Sequence, residues 1–168
     1  MRDLQHVSLR GYAEGDVDVI SSLLNNYAVT KYLSSRIPFP YSRDDAVWWV
    51  NTGSKAELTR VIDVDGRLTG IVGAARGQHE NRRSAEIGYW LGQPFWGRGI
   101  ATRAVALMTE YVFNETDIVR LFAPVYAPNK ASMRVVEKCG YQLEGIARKS
   151  AFKNGEFYDE FIYARLKP

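Results

Sequence analysis

Ser84-Ala85-Glu86-Ile87-Gly88-Tyr89-Trp90-Leu91 runs into Gly92-Gln93-Pro94-Phe95-Trp96 and then into Gly97-Arg98-Gly99-Ile100-Ala101-Thr102. The first segment, rich in apolar and aromatic residues, predicts a strand. The Gly/Pro segment predicts a turn, and Val105, Met108, Val112 and Phe113 fall on one face of a helix from Gly99 to about Asn114. Glycines let the backbone turn tightly and approach a ligand with no Cβ in the way. The first amides of a helix lack intrahelical partners and carry the positive end of its dipole. Together they make a cradle for an anion, with a diphosphate as the expected guest. The plainer reading of Gly-x-Gly, a strand-to-helix turn in any α/β domain, stays open on these residues alone. No Gly-Lys-Ser/Thr follows, so the segment is not a P-loop. Thr102 stands where a dinucleotide fingerprint wants Gly or Ala, and the next strand ends in Ala123-Pro124-Val125 rather than an acidic residue.

The chain around this stretch reads as one domain over residues 1–168, long enough to bury a core. Val7 to Tyr12 alternates as a strand, and Asp16 to Tyr27 carries Val17, Ile20, Leu23, Leu24 and Tyr27 at helical spacing. Arg36-Ile37-Pro38-Phe39-Pro40-Tyr41 is an extended, stiff segment, because two prolines forbid regular helix. Ser42 is an N-cap, with Asp44 and Asp45 in the first turn of a helix to about Thr52. That helix carries adjacent Trp48 and Trp49, which point about 100° apart, so burial of both or a lining role for one are the alternatives. Leu58 to Val64 and Leu68 to Ala75 form a hairpin across Asp65-Gly66, and Tyr141 to Phe152 and Glu156 to Leu166 form another across Asn154-Gly155. Between them lie a strand from Ile118 to Val125 and a short helix from Asn129 to Lys138, with Gly140 as its C′ residue. The order βααβββαβαββ predicts an α/β fold whose mixed sheet has helices on both faces.

Bulk properties narrow the function classes. A net charge of +3 and a pI near 9.0 suit an anionic ligand but do not demand nucleic acid. No membrane-length apolar run occurs, and Met-Arg-Asp-Leu-Gln is no signal peptide, so a cytoplasmic protein is expected. The one cysteine, Cys139, reads as a buried structural thiol rather than a nucleophile, and two distant histidines leave little for a metal site.

Glu-Ile-Gly-Tyr-Trp-Leu followed by Trp-Gly-Arg-Gly-Ile-Ala-Thr resembles motif A of the GNAT N-acetyltransferases, most closely the branch of ribosomal-protein N-terminal acetyltransferases. Asn129-Lys130-Ala131-Ser132-Met133-Arg134-Val135-Val136-Glu137-Lys138-Cys139-Gly140-Tyr141 resembles that branch's second block. The likeness runs from Val7 to Leu166. It implies a central, mostly antiparallel sheet of about seven strands, splayed between the fourth and fifth, at Leu91 and Tyr126. It implies acetyl-CoA as co-substrate and an amine acceptor, either a peptide N-terminus or a small molecule such as a polyamine, amino acid or aminoglycoside. No direct nucleic-acid or membrane partner is implied, no metal, and a homodimer is compatible. A non-catalytic acyl-CoA sensor is the alternative outside the enzyme class.

The resemblance assigns the diphosphate to the main chain of Trp96, Gly97, Arg98, Gly99, Ile100, Ala101 and Thr102, and the pantetheine to the strand end Tyr89, Trp90 and Leu91. Arg98 and Arg103 are either phosphate partners or solvated charges. Asn129 and Ser132, three apart on one helix, are either an N-cap and a nearby hydroxyl or the pair that meets pantetheine and sulfur. The family's tyrosine acid, seven residues after the Asn, is Val136 here. Ser132 is therefore the candidate acid, with Tyr141 in reserve. Glu86 shares a strand face with Ser84, Gly88 and Trp90. It is the candidate base, or else a salt-bridge partner; Asp159 is similarly open. The resemblance places the acceptor beside Arg36, Phe39, Tyr41 and Trp48, a set that favours a peptide end over a polyamine. Direct transfer needs no enzyme nucleophile, which fits the lack of a Ser/His/Asp or Cys/His constellation.

Overall fold

A computed structural model describes residues 6–168; the reading of Met1 to Gln5 lies outside the described residues. Seven strands form one sheet in the order β1-β2-β3-β4-β5-β7-β6. They are β1 (Val7–Arg10), β2 (Leu58–Val64), β3 (Arg67–Arg76), β4 (Ser84–Leu91), β5 (Arg120–Tyr126), β6 (Gln142–Lys153) and β7 (Glu156–Leu166). All neighbours are antiparallel except β4 and β5.

The helices are α1 (Asp16–Leu24), α2 (Tyr27–Thr30), α3 (Arg43–Asn51), α4 (Ile100–Glu115) and α5 (Lys130–Lys138). The predicted single helix to Tyr27 is two. Asn25 breaks it by bonding Tyr41 through both its amide groups, accepting from Tyr41 N at 2.9 Å and donating to the Tyr41 carbonyl. Asn26 then caps α2, accepting from Ala28 N at 3.0 Å. Ser42 and Asp45 form the capping box that starts α3.

The two sheet faces carry separate cores. Ile87, Leu91, Leu121 and Val125 pack under α4 and α5 with Ile100, Val105, Met108 and Val136. Val61, Ile71 and Trp90 pack under α1 and α3 with Ile20, Leu24 and Ala46. Alternation along β4 thus sends Leu91 to one core and Trp90 to the other. Arg10 ties β1, β2 and α1 together, donating to Asp63 at 2.7 Å and in bidentate fashion to Asp16 at 2.9 Å.

The parallel pair is incomplete. Ser84, Ala85 and Glu86 face Arg120, Leu121 and Phe122; beyond Glu86 the strands part, while β4 stays paired to β3 as far as Leu91 opposite Gly70. The splay therefore opens earlier than the sequence suggests, already after Glu86.

Candidate active site

The parting of β4 and β5 leaves two cavities, of about 690 and 710 Å³, that meet at Tyr32, Leu33, Tyr89, Trp90, Asn129 and Ser132. The first lies over the start of α4. Gly97 and Gly99 there adopt φ of +72° and +77°, values open to glycine. A Cβ at either would meet no protein atom within 4 Å, so the glycines keep a space clear rather than fit a packed one. Among the described residues, the amides of Gly97, Arg98, Gly99, Ile100, Ala101 and Thr102 donate to no protein acceptor; Arg103 N, bonded to Gly99 O at 3.1 Å, is the first that does. Six free amides at a helix start form an anion seat. Lys31, Arg98, Lys130, Arg134 and Lys138 line the same cavity, with no carboxylate. Trp96 donates its indole N–H to Leu91 O at 2.7 Å, anchoring the turn to the end of β4. Arg103 is exposed and lines neither cavity, so its solvated reading stands.

At the junction, Asn129 accepts from Ser132 N at 3.3 Å and so is the N-cap of α5. The Ser132 hydroxyl lies 2.7 Å from the Tyr89 hydroxyl. Burial pushes the Tyr89 phenol up to about 12 against the opposing bond from Ser132.

The second cavity is lined by Asp45, Glu57, Glu86 and Glu160, with Arg36 as its one cation. Glu86 stands on its floor, reached by solvent yet walled by protein. Its carboxyl is raised above the ordinary range, by burial first and then by Glu160 and Glu57, with Arg36 opposing. Among the described residues Glu86 has no ion pair, which removes the salt-bridge reading. Arg36 reaches Glu57 at 3.4 Å. Tyr32 and Tyr126 meet edge to face at 6.3 Å, and Trp48, 59% exposed, lines the mouth with Trp49. The segment carrying Tyr32 and Leu33 is held from the β6–β7 tip, where Lys153 Nζ donates to Thr30 O at 2.9 Å and to Leu33 O.

Two expectations, Phe39 and Tyr141, need correction. Phe39 packs on Tyr27 with ring centroids 5.8 Å apart, is 52% exposed and lines neither cavity. Tyr41 lines the second cavity, with most of its ring buried in the core under α1 and α3. The side chain of Trp90 belongs to that same core, and its main chain is left to the cleft, compatible with the strand-end reading. Tyr141 is buried with its hydroxyl 2.8 Å from Thr109, away from both cavities, so it is no reserve acid. Val136 likewise faces the core, and Cys139 is a buried thiol raised by burial. Glu160 was missed, and the sequence leaves Asp159 open. Asp159 accepts from Lys149 N at 2.8 Å in a strand irregularity, while Glu160 points into the cleft; the alternation of β7 carried that signal.

Residues 6–142 match the family model described as acetyltransferase (GNAT) domain. The probable N-acetyltransferase YjcK of Bacillus subtilis is 41% identical over 62% of the chain, which spans 58% of that relative. The N-acetyltransferase YoaA of the same organism, itself uncharacterized, is 35% identical over 95% of this chain and 93% of its own. The spermidine N(1)-acetyltransferase of Escherichia coli is 26% identical over 94% of this chain and 84% of its own. Among solved structures, RimL, a ribosomal L7/L12 α-N-protein acetyltransferase in complex with coenzyme A, superposes with a TM-score of 0.82 at 25% identity over 95% of this chain and 93% of its own. A seat of free amides at the start of α4, a sheet parted beside it and a family match over most of the chain agree: this protein belongs to the GNAT acetyltransferases and is an N-acetyltransferase.

Proposed function

We propose that the chain transfers acetyl directly from acetyl-CoA to a primary amine, with a protein N-terminal α-amine as the acceptor. The observation that carries this reading is the pair of cavities of opposite charge meeting where β4 leaves β5. When bound, acetyl-CoA supplies an activated acyl group on a thiol leaving group. The amides of Gly97 to Thr102 hold its diphosphate, helped by Arg98, and the freed edge of β4 from Tyr89 to Leu91 aligns the pantetheine. Glu86, held ionisable above the usual carboxylate range, takes a proton from the incoming ammonium directly or through water. Ser132 donates toward the departing sulfur. Cys139 stays a protonated, buried thiol, so acetyl passes without an enzyme-bound intermediate. Holding two substrates in register supplies much of the rate.

The acceptor choice draws on RimL, a ribosomal L7/L12 α-N-protein acetyltransferase. Four carboxylates against one arginine favour a second reading, a small polycation, as in the name of the E. coli relative. Calorimetry with acetyl-CoA, followed by thiol release with peptides of varied first residue, polyamines and aminoglycosides, tests both. Expected are micromolar-class binding and turnover with an amine; absence of acetyl-CoA binding with and without acceptor overturns the reading.

A further inference from the structure

Ser132 does not do what helical hydroxyls usually do. Thr109 and Thr116 bond back to the carbonyl four residues earlier, at 2.8 and 2.6 Å, and Thr109 does so even while it also meets the Tyr141 hydroxyl. The hydroxyl of Ser132 makes no such back-bond and meets only a phenol from another element, Tyr89 of β4, at 2.7 Å. Its own amide is fixed by Asn129, so the side chain is held from two directions. Tyr89 has no other hydrogen-bond partner among the described residues, and both residues line both cavities.

We propose that Tyr89 is a positioning residue that donates to Ser132 Oγ and thereby aims the serine proton into the cleft, at the sulfur that leaves. A hydroxyl pair can share a proton in only one sense at a time. If Ser132 donated to Tyr89, the serine proton would be turned away from the sulfur. With an electron-rich sulfur beside it, Ser132 turns its O–H to the cleft and Tyr89 supplies the other hydrogen bond. The phenol can hold that donor role because burial keeps it protonated to about 12. No proton leaves Tyr89 or Ser132, whose hydrogen bond only stabilises the departing thiolate. Glu86 takes the first proton of the ammonium; the second, lost from the attacking nitrogen as the C–S bond breaks, neutralises the sulfur. The inference rests on the proposed role of Ser132, but its failure is separable from failure of that role.

The test is a cycle of Tyr89→Phe, Ser132→Ala and the double variant. One readout is turnover; the other is calorimetric affinity for CoA against desulfo-CoA, which isolates the sulfur contact without chemistry. Phenylalanine keeps the ring, and melting curves check that the fold is retained. Tyr89→Phe should lower kcat about 5- to 10-fold, the effect of one hydrogen bond, with KM for acetyl-CoA changed less than about 2-fold. It should also shrink the preference for CoA over desulfo-CoA, and should add nothing further in the Ser132→Ala background. Additive losses, or a loss in KM and melting temperature alone, would make Tyr89 merely structural and overturn the proposal. An unchanged kcat in Ser132→Ala would instead remove the role of Ser132 itself.

Discussion

The two cavities share six residues and little else. The one over α4 is lined by five cations and no carboxylate; the one over the face of α1 and α3 is lined by four carboxylates and one cation. A polyanion and an ammonium would each be drawn to its own side, and like-charge repulsion discourages the wrong entry. The sheet makes this separation possible. β4 and β5 pair from Ser84 to Glu86; where they part, Glu86 to Gly88 line one chamber, Leu91 the other, and Tyr89 and Trp90 both. One parting of two strands thus gives two adjoining chambers of opposite charge.

Substitutions confined to one chamber should break the function of that chamber alone. The largest effect is expected at Glu86. Glu86→Gln should lower kcat about 100-fold while leaving CoA affinity within about 2-fold, as read by steady-state kinetics and calorimetry. The same variant has a stability signature of opposite sign. The folded carboxyl binds its proton more tightly than the unfolded one, so wild-type stability falls as pH rises from the ordinary carboxylate value through the raised folded value. Glu86→Gln should thus melt no lower than wild type at neutral pH and lose that pH dependence. In wild type the acid limb of kcat should sit above the ordinary carboxylate range.

Next in size is the donor side. Gly99→Val forces a β-branched residue to a φ of +77° and fills the kept space. It should raise the Kd for acetyl-CoA about 10-fold or more and cost about 1–2 kcal/mol of stability, with the amine KM unchanged. Smaller again is Arg134→Glu, expected to weaken CoA by about 3-fold at low salt and by less at high salt, measured by titration at two ionic strengths. The smallest is Phe39→Ala. That ring lies outside both chambers, so the amine KM should stay within about 2-fold of wild type.

Much of this was legible in the chain. Gly97 and Gly99 announce a left-handed turn before a helix, and β4, β2 and β7 fall where period-two alternation puts them. Short-range signals of this kind are written in adjacent residues. The acceptor side was less legible because its walls are assembled from distant segments: Glu86 from β4, Glu160 from β7, Arg36 and Tyr32 from the loop after α2. Asp159, left open in the sequence, and Glu160, not named there, differ by one residue, which on a strand reverses the face. Phe39 went astray for another reason: a stiff Pro-flanked segment fixes the backbone, not which way a ring turns. The charge contrast between the chambers has no local sequence signature at all.

The claim on which the rest depends is that main-chain amides at the start of α4 grip the diphosphate. Amide chemical-shift mapping during titration with acetyl-CoA tests it most directly. The largest shifts should fall on Gly97 through Thr102 and extend to Tyr89, Trp90 and Leu91, while Asp45, Glu57 and Glu160 stay nearly still. Saturable binding that leaves the amides of Gly97 to Thr102 unmoved would contradict it.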